Sequence, residues 1–309
     1  MNILVTGGAG FIGSHVADAF LAEGHSVSIM DDLSTGRERN VPHGASFMKA
    51  DIRDAGAIER LFGTGRFDVL CHHAAQMDVR RSVAEPVFDA SVNVIGVLTL
   101  LEAAIRHGVK KVIFASTGGA MYGEQDYFPA DEKHPARPVS PYGVTKLATE
   151  RYLHFYRVTY GLDSVSLRYA NVYGPRQNPE GEAGVIAIFA KKMFRGEQPV
   201  INGDGKQTRD YVYVGDVVRA NLLALRYGGS GIFNIGTGVE TDVNALFRNL
   251  KALTGSNCAE KHADGKKGEQ LRSVLDAGKA VRELGWSLTY PLEEGLRLTV
   301  DYFRSEREE

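Results

Sequence analysis

The segment Ile3-Leu4-Val5-Thr6-Gly7-Gly8-Ala9-Gly10-Phe11-Ile12-Gly13 runs from an apolar stretch into a glycine-rich turn. Its first three residues are typical of a buried parallel strand, and the apolar residues from Phe11 to Glu23 recur at helical spacing. Gly7, Gly10 and Gly13 would permit a tight turn, the close approach of a pyrophosphate and close packing of the helix on the strand. We therefore predict that the N-terminus of this helix binds a phosphate.

A second apolar run, Val27 to Met30, ends at Asp31, which lies 18 residues beyond Gly13. In a strand, turn, helix and strand of this kind, an acidic residue at that spacing binds the ribose diol of an adenosine and repels a 2′-phosphate. The spacing therefore predicts bound NAD rather than NADP. Arg37 and Arg39 follow closely and weaken this preference.

Length and composition indicate an ordinary globular protein. The chain has 309 residues, of which 43% are hydrophobic and 24% charged, and its formal net charge is -2. That length favours two domains, or one large sheet domain with an attached lobe. The charge gives no indication of nucleic acid or of an acidic membrane surface as a partner. Cys71 and Cys258 lie far apart in the sequence and are expected to be reduced.

We expect no signal peptide, because the first predicted strand begins at Ile3. No apolar run is expected to approach the length that spans a membrane. We therefore expect a cytoplasmic protein without a membrane partner.

Short apolar runs alternate with helical patterns through the first half of the chain, which predicts a Rossmann-type doubly wound parallel sheet of the α/β class. Further strands are expected near residues 46–48, 69–71, 112–115 and 164–167. We assign residues 1–172 to an NAD-binding domain, to which the chain returns around 210–237, and residues 173–309 to a smaller α/β substrate lobe. Trp286, with Leu284 and Leu288, is expected in the core of that lobe.

Two long and partly apolar helices are predicted, one near residues 86–107 and one near 141–160. Helices of this length in such folds often pair across a two-fold axis. We expect a homodimer formed through these two helices.

Tyr142 is followed four residues later by Lys146, near the start of the second of these helices. The spacing places both side chains on one helix face. A nearby ammonium and a nicotinamide cation would both favour the phenolate, so Tyr142 is the predicted general base. Ser116 and Thr117 follow the strand near 112–115, at the edge of the sheet where ligands bind, and either hydroxyl is suited to a substrate hydroxyl or a developing oxyanion.

Several further motifs accompany these residues. The full set is Thr6-Gly7-x-x-Gly10-x-x-Gly13, Asp31-Asp32-Leu33-Ser34, Asp51-Ile52, His73-Ala74-Ala75, Asn93, Ser116-Thr117, Tyr142-x-x-x-Lys146, Leu167-Arg168-Tyr169, Asn171-Val172-Tyr173-Gly174-Pro175 and Arg209-Asp210-Tyr211. This set covers nearly the whole chain and resembles the extended short-chain dehydrogenase/reductases, most of all the UDP-galactose 4-epimerases. The resemblance implies NAD contacts from Gly7, Gly10, Phe11, Ile12, Gly13, Asp31, Asp32, Asp51, Ile52, Ala74, Ala75, Asn93, Tyr142, Lys146 and Tyr169.

The resemblance also implies a reaction, the interconversion of UDP-glucose and UDP-galactose. In that family the tyrosinate removes the proton of the sugar 4-hydroxyl, C4 gives hydride to tightly held NAD, and the 4-ketose turns to receive hydride on its other face. Tyr142 would be the acid and base, and Lys146 would tune it and hold the nicotinamide ribose.

Position 118 departs from the family pattern. Many of these epimerases have a catalytic serine where this chain has Gly118, so Thr117 is expected to replace it. The pair Gly118-Gly119 also stands where the 4,6-dehydratases have an Asp-Glu pair and near where the UDP-glucuronate decarboxylases have a glutamate. The chain therefore lacks the acid that those reactions require.

The same resemblance implies UDP-sugar contacts at four residues besides Thr117. Asn171 would touch the phosphates or the ribose edge, Arg209 would hold the diphosphate, and Lys266 stands where the family usually has arginine. Ser273 aligns with a position near the sugar that is bulky in some epimerases. Its small side chain leaves room for an N-acetyl group, so we expect activity on UDP-N-acetylglucosamine beside UDP-glucose.

Three alternatives stay open at this point. The chain acts on another UDP-sugar, such as UDP-glucuronate or UDP-N-acetylglucosamine; it is an NAD(P)H-dependent reductase that consumes its cofactor; or it senses NAD without catalysis. The intact Tyr142 and Lys146 argue against a sensor. His72 and His73 are expected in the cofactor wall and not in a metal site, since adjacent strand residues point to opposite faces.

Overall fold

The computed structural model describes residues 1–180, 184–265 and 270–308. The strands in these ranges are β1 (Asn2–Thr6), β2 (Ser26–Asp31), β3 (Ser46–Lys49), β4 (Val69–His72), β5 (Lys111–Thr117), β6 (Asp163–Tyr169), β7 (Asn171–Tyr173), β8 (Ile201–Asn202), β9 (Thr208–Tyr213), β10 (Gly231–Ile235), β11 (Glu240–Asp242), β12 (His262–Ala263) and β13 (Arg272–Ser273). The α-helices are α1 (Phe11–Ala22), α2 (Ala55–Gly65), α3 (Val79–Ala84), α4 (Pro86–Ala90), α5 (Val97–Arg106), α6 (Pro141–Tyr160), α7 (Val185–Phe194), α8 (Val214–Arg226), α9 (Val243–Thr254) and α10 (Leu292–Glu308).

Seven strands form a parallel sheet in the order β10-β6-β5-β4-β1-β2-β3. The strand order reverses at β1, which lies between β2 and β4. The crevice at the carboxyl ends of β1 and β4 is therefore the topological switch point, where open α/β sheets bind ligands. The predicted doubly wound Rossmann-type fold is confirmed.

Apolar side chains cover both faces of this sheet. Ile3 and Val5 of β1 join one cluster with Phe20 of α1, whereas Leu4 joins the cluster on the opposite face with Leu101 of α5. Successive strand residues point to opposite faces, so a strand buried on both sides must be apolar at every position. This is why β1 begins as the uninterrupted run Ile-Leu-Val.

A second, smaller sheet forms around β9, which pairs with β7, β11 and β13. Helices α7, α9 and α10 pack on one another beside it, around Phe189, Leu246 and Val300. After β9 the chain returns to the larger layer, where α8 packs against α1 and β10 pairs with β6.

Trp286 lies elsewhere than expected. Trp286 and Leu284 are buried in the cluster of the seven-stranded sheet, and Leu288 is exposed. The Trp286 indole donates a hydrogen bond to the Asp216 carbonyl of α8, and the Asp276 N–H donates to the Ala130 carbonyl. The placement in the lobe core is therefore wrong, because the chain returns to the larger layer again after β13.

The segment Pro86–Arg106, in which a π-helical turn (Ser91–Gly96) joins α4 to α5, is one continuous helical run. By length and composition alone it could cross a membrane, so the expectation that no such run occurs is wrong. Average apolarity does not separate the two faces of a helix. A core helix passes the same test, and this one packs against α2 and α6 and buries the polar Asp89 and Asn93.

Candidate active site

The glycine turn after β1 forms a narrow backbone cradle. Gly7 has a φ of +72°, and a Cβ added to it would lie 2.5 Å from the Ala74 nitrogen. A Cβ added to Gly13 would lie 2.2 Å from the Gly7 carbonyl oxygen. Phe11 and Ile12 occupy the first turn of α1, where backbone N–H groups have no partner within the helix. The turn can therefore accept only glycine at these two positions, and it presents donors to an anion.

Asp31 ends β2 beside this turn. Its side chain is 7% exposed, and its two oxygens accept hydrogen bonds from the Ala9 nitrogen (3.0 Å) and the Leu33 nitrogen (2.8 Å). Burial raises the pKa of this carboxyl group, and the two backbone hydrogen bonds oppose the shift. Asp32 is exposed and accepts hydrogen bonds from the backbone and hydroxyl of Ser34. Asp31 is thus fixed next to the turn, while Asp32 shapes the loop that follows.

Asp51 and Ile52 follow β3 on the same side of the site. Asp51 pairs with Arg53 at 2.5 Å, and this contact lowers the pKa of the Asp51 carboxyl group. Ile52 is buried beneath Gly96, where an added Cβ would lie 2.8 Å from Ile52 Cγ1. The pair offers one apolar and one charged side chain at the outer end of the crevice.

The loop after β4 is held in place from below by Asn93. The Asn93 side chain accepts a hydrogen bond from the Gln76 nitrogen (2.9 Å) and donates one to the Gln76 carbonyl (2.8 Å). This loop carries Ala74 and Ala75 past the glycine turn. Asn93 is itself buried in the π-helical turn, a feature often found at functional sites. Asn93 therefore supports the loop after β4 by holding the backbone of Gln76.

His72 ends β4 and is buried, and His73 follows it and is half-buried. His72 lies 2.7 Å from the Thr6 hydroxyl and stacks on Phe114. His73 stacks on Tyr169, and burial with the nearby Lys146 charge lowers the His73 pKa to about 3. The Nε2 atom of His73 is buried and has no hydrogen-bond partner among the described residues.

Tyr142 and Lys146 lie in the first turns of α6, which begins at the Ser140 N-cap with Pro141 in its first turn. The Lys146 ammonium donates a hydrogen bond to the Ala115 carbonyl (2.8 Å) and lies 5.8 Å from the centre of the Tyr142 ring. Burial lowers the Lys146 pKa to about 8, and the Asp89 carboxylate opposes this shift. Burial also raises the pKa of Tyr142. The ammonium and the phenol are therefore held on one face of the helix, as the spacing predicts.

Ser116 and Thr117 have different surroundings. The Ser116 hydroxyl donates to Glu150 (2.6 Å), which forms a buried ion pair with Arg168 (2.6 Å). The Thr117 hydroxyl accepts a hydrogen bond from the Ala120 nitrogen (3.1 Å) and keeps its own proton available for donation. A Cβ added to Gly119 would lie 4.0 Å from Thr117 Oγ1 and 3.7 Å from Asn171 Oδ1. Thr117 and Asn171 therefore flank the same glycine at the edge of the sheet.

The remaining predicted residues lie in or behind the crevice. Tyr169 is buried and its hydroxyl accepts from Asn221 (2.9 Å), so it supports His73 from behind. Arg209 on β9 is the register partner of Ser273 on β13, and Ser273 is buried. Lys266 lies outside the described residues.

Two buried acids belong to this site although the sequence did not single them out. Glu150 holds Ser116 and Arg168, as described above. Asp89 is 0% exposed and accepts hydrogen bonds from Gln76, Asn93 and Thr145. In the sequence, Asp89 lies four residues before Asn93, and Glu150 lies four residues after Lys146. This spacing places each pair on one helix face, but it does not by itself indicate a chemical role.

These features fit a bound dinucleotide. The glycine cradle, the acid that ends β2 and the unpartnered buried Nε2 of His73 lie along one crevice at the switch point of the sheet. Such a crevice is where a pyrophosphate, a ribose and a nicotinamide are expected in this architecture. Within the described ranges no cluster of three or more His, Cys, Asp or Glu side chains is arranged to hold a metal ion.

The sequence matches the model of the NAD dependent epimerase/dehydratase family over residues 3–236. It is 46% identical to a UDP-glucose 4-epimerase of Mycolicibacterium smegmatis over 312 residues, covering 99% of each chain. The fold is similar, with a TM-score of 0.98, to that of a UDP-glucose 4-epimerase of Thermotoga maritima crystallised with UDP-glucose, which is 52% identical, with 99% of this chain and 100% of the other covered. A Thermus thermophilus UDP-glucose 4-epimerase in complex with NAD is 46% identical, with a TM-score of 0.93 and coverage of 98% and 99%.

Proposed function

Because the chain belongs to the NAD-dependent epimerase/dehydratase family, we propose that it interconverts UDP-glucose and UDP-galactose through a 4-keto sugar, with NAD bound and recycled. The protein is an isomerase with a Rossmann-type fold, and the relatives that it resembles are UDP-glucose 4-epimerases. The observation that carries the proposal is the buried Lys146 ammonium, hydrogen-bonded to Ala115 and 5.8 Å from the Tyr142 ring, at the same sheet edge as the glycine cradle.

The residues that would hold NAD line the crevice from end to end. Phe11 and Ile12 would bind the pyrophosphate through backbone N–H groups, because Gly7, Gly10 and Gly13 let it approach. Asp31 would accept the ribose hydroxyls, while Asp51, Ile52, Ala74 and Ala75 would form the walls. NAD, when bound, supplies a reversible hydride acceptor for C4 of the sugar.

Tyr142 would move the proton of the 4-hydroxyl. A buried ammonium beside the phenol favours its ionised form, which offsets part of the desolvation that raises its pKa. Thr117 would donate a hydrogen bond to the 4-oxygen, since its hydroxyl already accepts from Ala120 and is thereby oriented. With Gly118 and Gly119 in place of acids, the site has no group there for eliminating water from the sugar.

We place the UDP-sugar between the seven-stranded sheet and the smaller sheet around β9. NAD would be held by residues 1–172 and by residues 210–237, where the chain returns to the larger sheet. The UDP group would be held by the smaller lobe. Asn171 follows the crevice on β7, and Arg209 lies on β9 at the centre of the smaller sheet. An arginine offers two parallel donors to a diphosphate. Lys266 would add a positive charge to the same group.

The direct test is to incubate the purified protein with UDP-galactose, without added cofactor, and to assay UDP-glucose while recording NADH absorbance. We expect conversion without net NADH. Accumulation of NADH, or a requirement for stoichiometric cofactor, would instead assign a reductase. Binding of NAD without turnover of any UDP-sugar would assign a sensor.

A second substrate is favoured by Ser273. This small, buried residue is the register neighbour of Arg209, so it lies one strand away from the proposed diphosphate contact. We propose that UDP-N-acetylglucosamine is also epimerised. Wild-type turnover of UDP-glucose with no turnover of UDP-N-acetylglucosamine would refute this, and a Ser273→Tyr variant should lose the larger substrate selectively. UDP-glucuronate belongs in the same panel.

We further propose a cytoplasmic homodimer that serves galactose metabolism. Apolar side chains lie exposed on α6 and on the Pro86–Arg106 segment, among them Val87 (82%), Ile95 (57%), Phe155 (47%) and Val158 (73%). Two adjacent helices with such residues can pair with the same helices of a second copy. Cys71 and Cys258 are free thiols, as suits a reducing compartment.

A further inference from the structure

The buried carboxylate of Asp89 lies beneath the candidate catalytic helix. Asp89 is on α4 and is 0% exposed. Its Oδ1 atom accepts hydrogen bonds from Gln76 Nε2 (2.9 Å) and Asn93 Nδ2 (3.1 Å), and its Oδ2 atom accepts one from Thr145 Oγ1 (3.0 Å). One side chain therefore joins the loop after β4, the π-helical turn and α6.

The environment of Asp89 is unusual for a buried charge. Its three hydrogen-bond donors are neutral, and across residues 1–180, 184–265 and 270–308 no ion pair to Asp89 is found. Burying a carboxylate is costly unless charges or hydrogen bonds compensate it. The three donors occupy both carboxylate oxygens, whereas an amide would offer only one accepting atom, so the acid matches these donors as well as carrying a charge.

Thr145 connects this carboxylate to the catalytic pair. It lies in the turn between Tyr142 and Lys146, and its hydroxyl is also 2.9 Å from the Tyr142 carbonyl oxygen. The hydroxyl has one proton and can donate it to only one of these acceptors at a time. On the other side, Gln76 reaches Asp89 through its side chain while its backbone is held by Asn93. Asp89 thus fixes α6 against the wall of the crevice.

We propose that Asp89 is a positioning residue for the epimerase reaction: its buried carboxylate holds the Tyr142 turn of α6 against the Gln76 loop and supplies a fixed negative charge behind the Tyr142–Lys146 pair. The catalytic part of this inference rests on the proposed function. Asp89 does not itself contact substrate. Its effect is exerted through Thr145 and through the electrostatic field.

The field has a defined sign. The Asp89 charge raises the pKa values of both Tyr142 and Lys146, so it opposes early ionisation of the phenol and helps Lys146 to keep its proton. Other titratable groups on the elements packed against Asp89 are Tyr142, Lys146 and Glu150 on α6, Arg80 and Arg81 on α3, Glu85 before α4 and Asp78 before α3. These groups all remain when only Asp89 is neutralised.

The test is the variant Asp89→Asn, which keeps the shape of the side chain and removes its negative charge. We expect kcat to fall by about tenfold, the loss expected for a hydrogen bond to a charged group, with KM for the UDP-sugar changed by less than about twofold. Both limbs of the kcat profile should move to lower pH, because the Asp89 charge raises the pKa values of Tyr142 and Lys146. A merely structural role would lower the rate or the stability without moving the limbs.

Glu85→Gln is the matched control, because it removes one acidic charge at the exposed start of the same helix. We expect it to leave rate and pH profile unchanged. If Asp89→Asn has the wild-type pH profile, or if Glu85→Gln shifts the profile equally, the proposal is wrong.

Thr145→Val and Thr145→Ser test the hydrogen bond from Thr145 to Asp89 separately from the charge of Asp89. Valine removes the donor to Asp89 and should lower kcat, while serine keeps the hydroxyl and should restore most of the rate. Equal rates in the two variants would overturn the connection through Thr145. Circular dichroism and unfolding midpoints confirm that each variant is folded.

One readout does not depend on turnover. The tyrosinate absorbance of the protein minus that of Tyr142→Phe reports the titration of Tyr142 alone. This difference should titrate at lower pH in the Asp89→Asn background than in the wild type. If the wild type fails to epimerise any UDP-sugar but this shift is seen, the proposed function is wrong and the electrostatic role of Asp89 stands; an absent shift refutes that role.

Discussion

Leu275 fills the space that a side chain at position 118 would need. A Cβ added to Gly118 would lie 2.4 Å from Leu275 Cδ1, and Leu275 is 0% exposed. Leu275 is held in turn, because its N–H donates to the buried Asp210 carboxylate (3.3 Å). Gly118, which stands where many epimerases have a serine, therefore leaves the space that Leu275 fills. Thr117 supplies the hydroxyl group at this edge of the sheet.

Adding a methyl group at position 118 should be costly, whereas adding one at 119 should not. We expect Gly118→Ala to lower the free energy of unfolding by about 1–3 kcal/mol through overpacking. Gly119→Ala is the matched control, since its Cβ would meet nothing closer than 3.7 Å. Denaturant midpoints measure both. In a double-mutant cycle, Leu275→Ala should relieve part of the cost of Gly118→Ala, and strict additivity would contradict the contact.

Tyr142→Phe should remove nearly all turnover while leaving cofactor binding intact. The ring is kept, but the group that moves the 4-hydroxyl proton is lost, so we expect kcat to fall by about a thousandfold. NAD released on denaturation should equal that of the wild type. Tyr152→Phe, on the exposed side of the same helix, is the control and should be fully active. Near-normal turnover by Tyr142→Phe would refute the assigned base.

Thr117→Val should lower kcat by about tenfold to a hundredfold, because the 4-oxygen loses a hydrogen bond that matters in the transition state. The variant also removes the acceptor for the Ala120 N–H, at a cost of about 1 kcal/mol in stability. Thr117→Ser keeps both functions and should be close to wild type. If valine and serine variants have the same kcat, Thr117 takes no part in the chemistry.

Lys146 should set the alkaline limit of activity. Its pKa is lowered to about 8 by burial, so its charge is present below that pH and is lost as the pH rises through it. Because the neutral amine no longer favours the phenolate, we expect kcat to decline above about pH 8. Lys146→Arg keeps its charge to much higher pH. Its alkaline limb should move upward even if its maximal rate is lower, and an unmoved limb would assign the titration to another group.

If the protein is a dimer through α6, charged substitutions on the exposed face of that helix should convert it to a monomer. Phe155→Glu combined with Val158→Glu places two charges on the exposed face of α6, where they would be buried in the proposed interface. Sedimentation velocity should show a dimer for the wild type and a monomer for this variant. Val281→Glu, at another exposed valine, is the control and should stay dimeric. A monomeric wild type would remove the proposal.

The sequence by itself determined the features that depend on neighbouring residues. The strand, the glycine turn and helix α1 follow from an apolar run, three spaced glycines and helical periodicity within 23 residues. The Tyr142 and Lys146 pair follows from a spacing of four on one helix. These predictions hold in the structure because backbone conformation and helix geometry are set over a few residues.

Only the tertiary structure decided which distant residues meet. Leu275 reaches Gly118, Asp89 reaches Thr145, and Trp286 packs into the larger layer, each through segments brought together by the order of the strands. No local pattern marks these partners, since a buried acid or a small gap depends on what packs against it from elsewhere in the chain. Close packing and the desolvation of charge act between surfaces, and those surfaces exist only once the sheet and its helices have assembled.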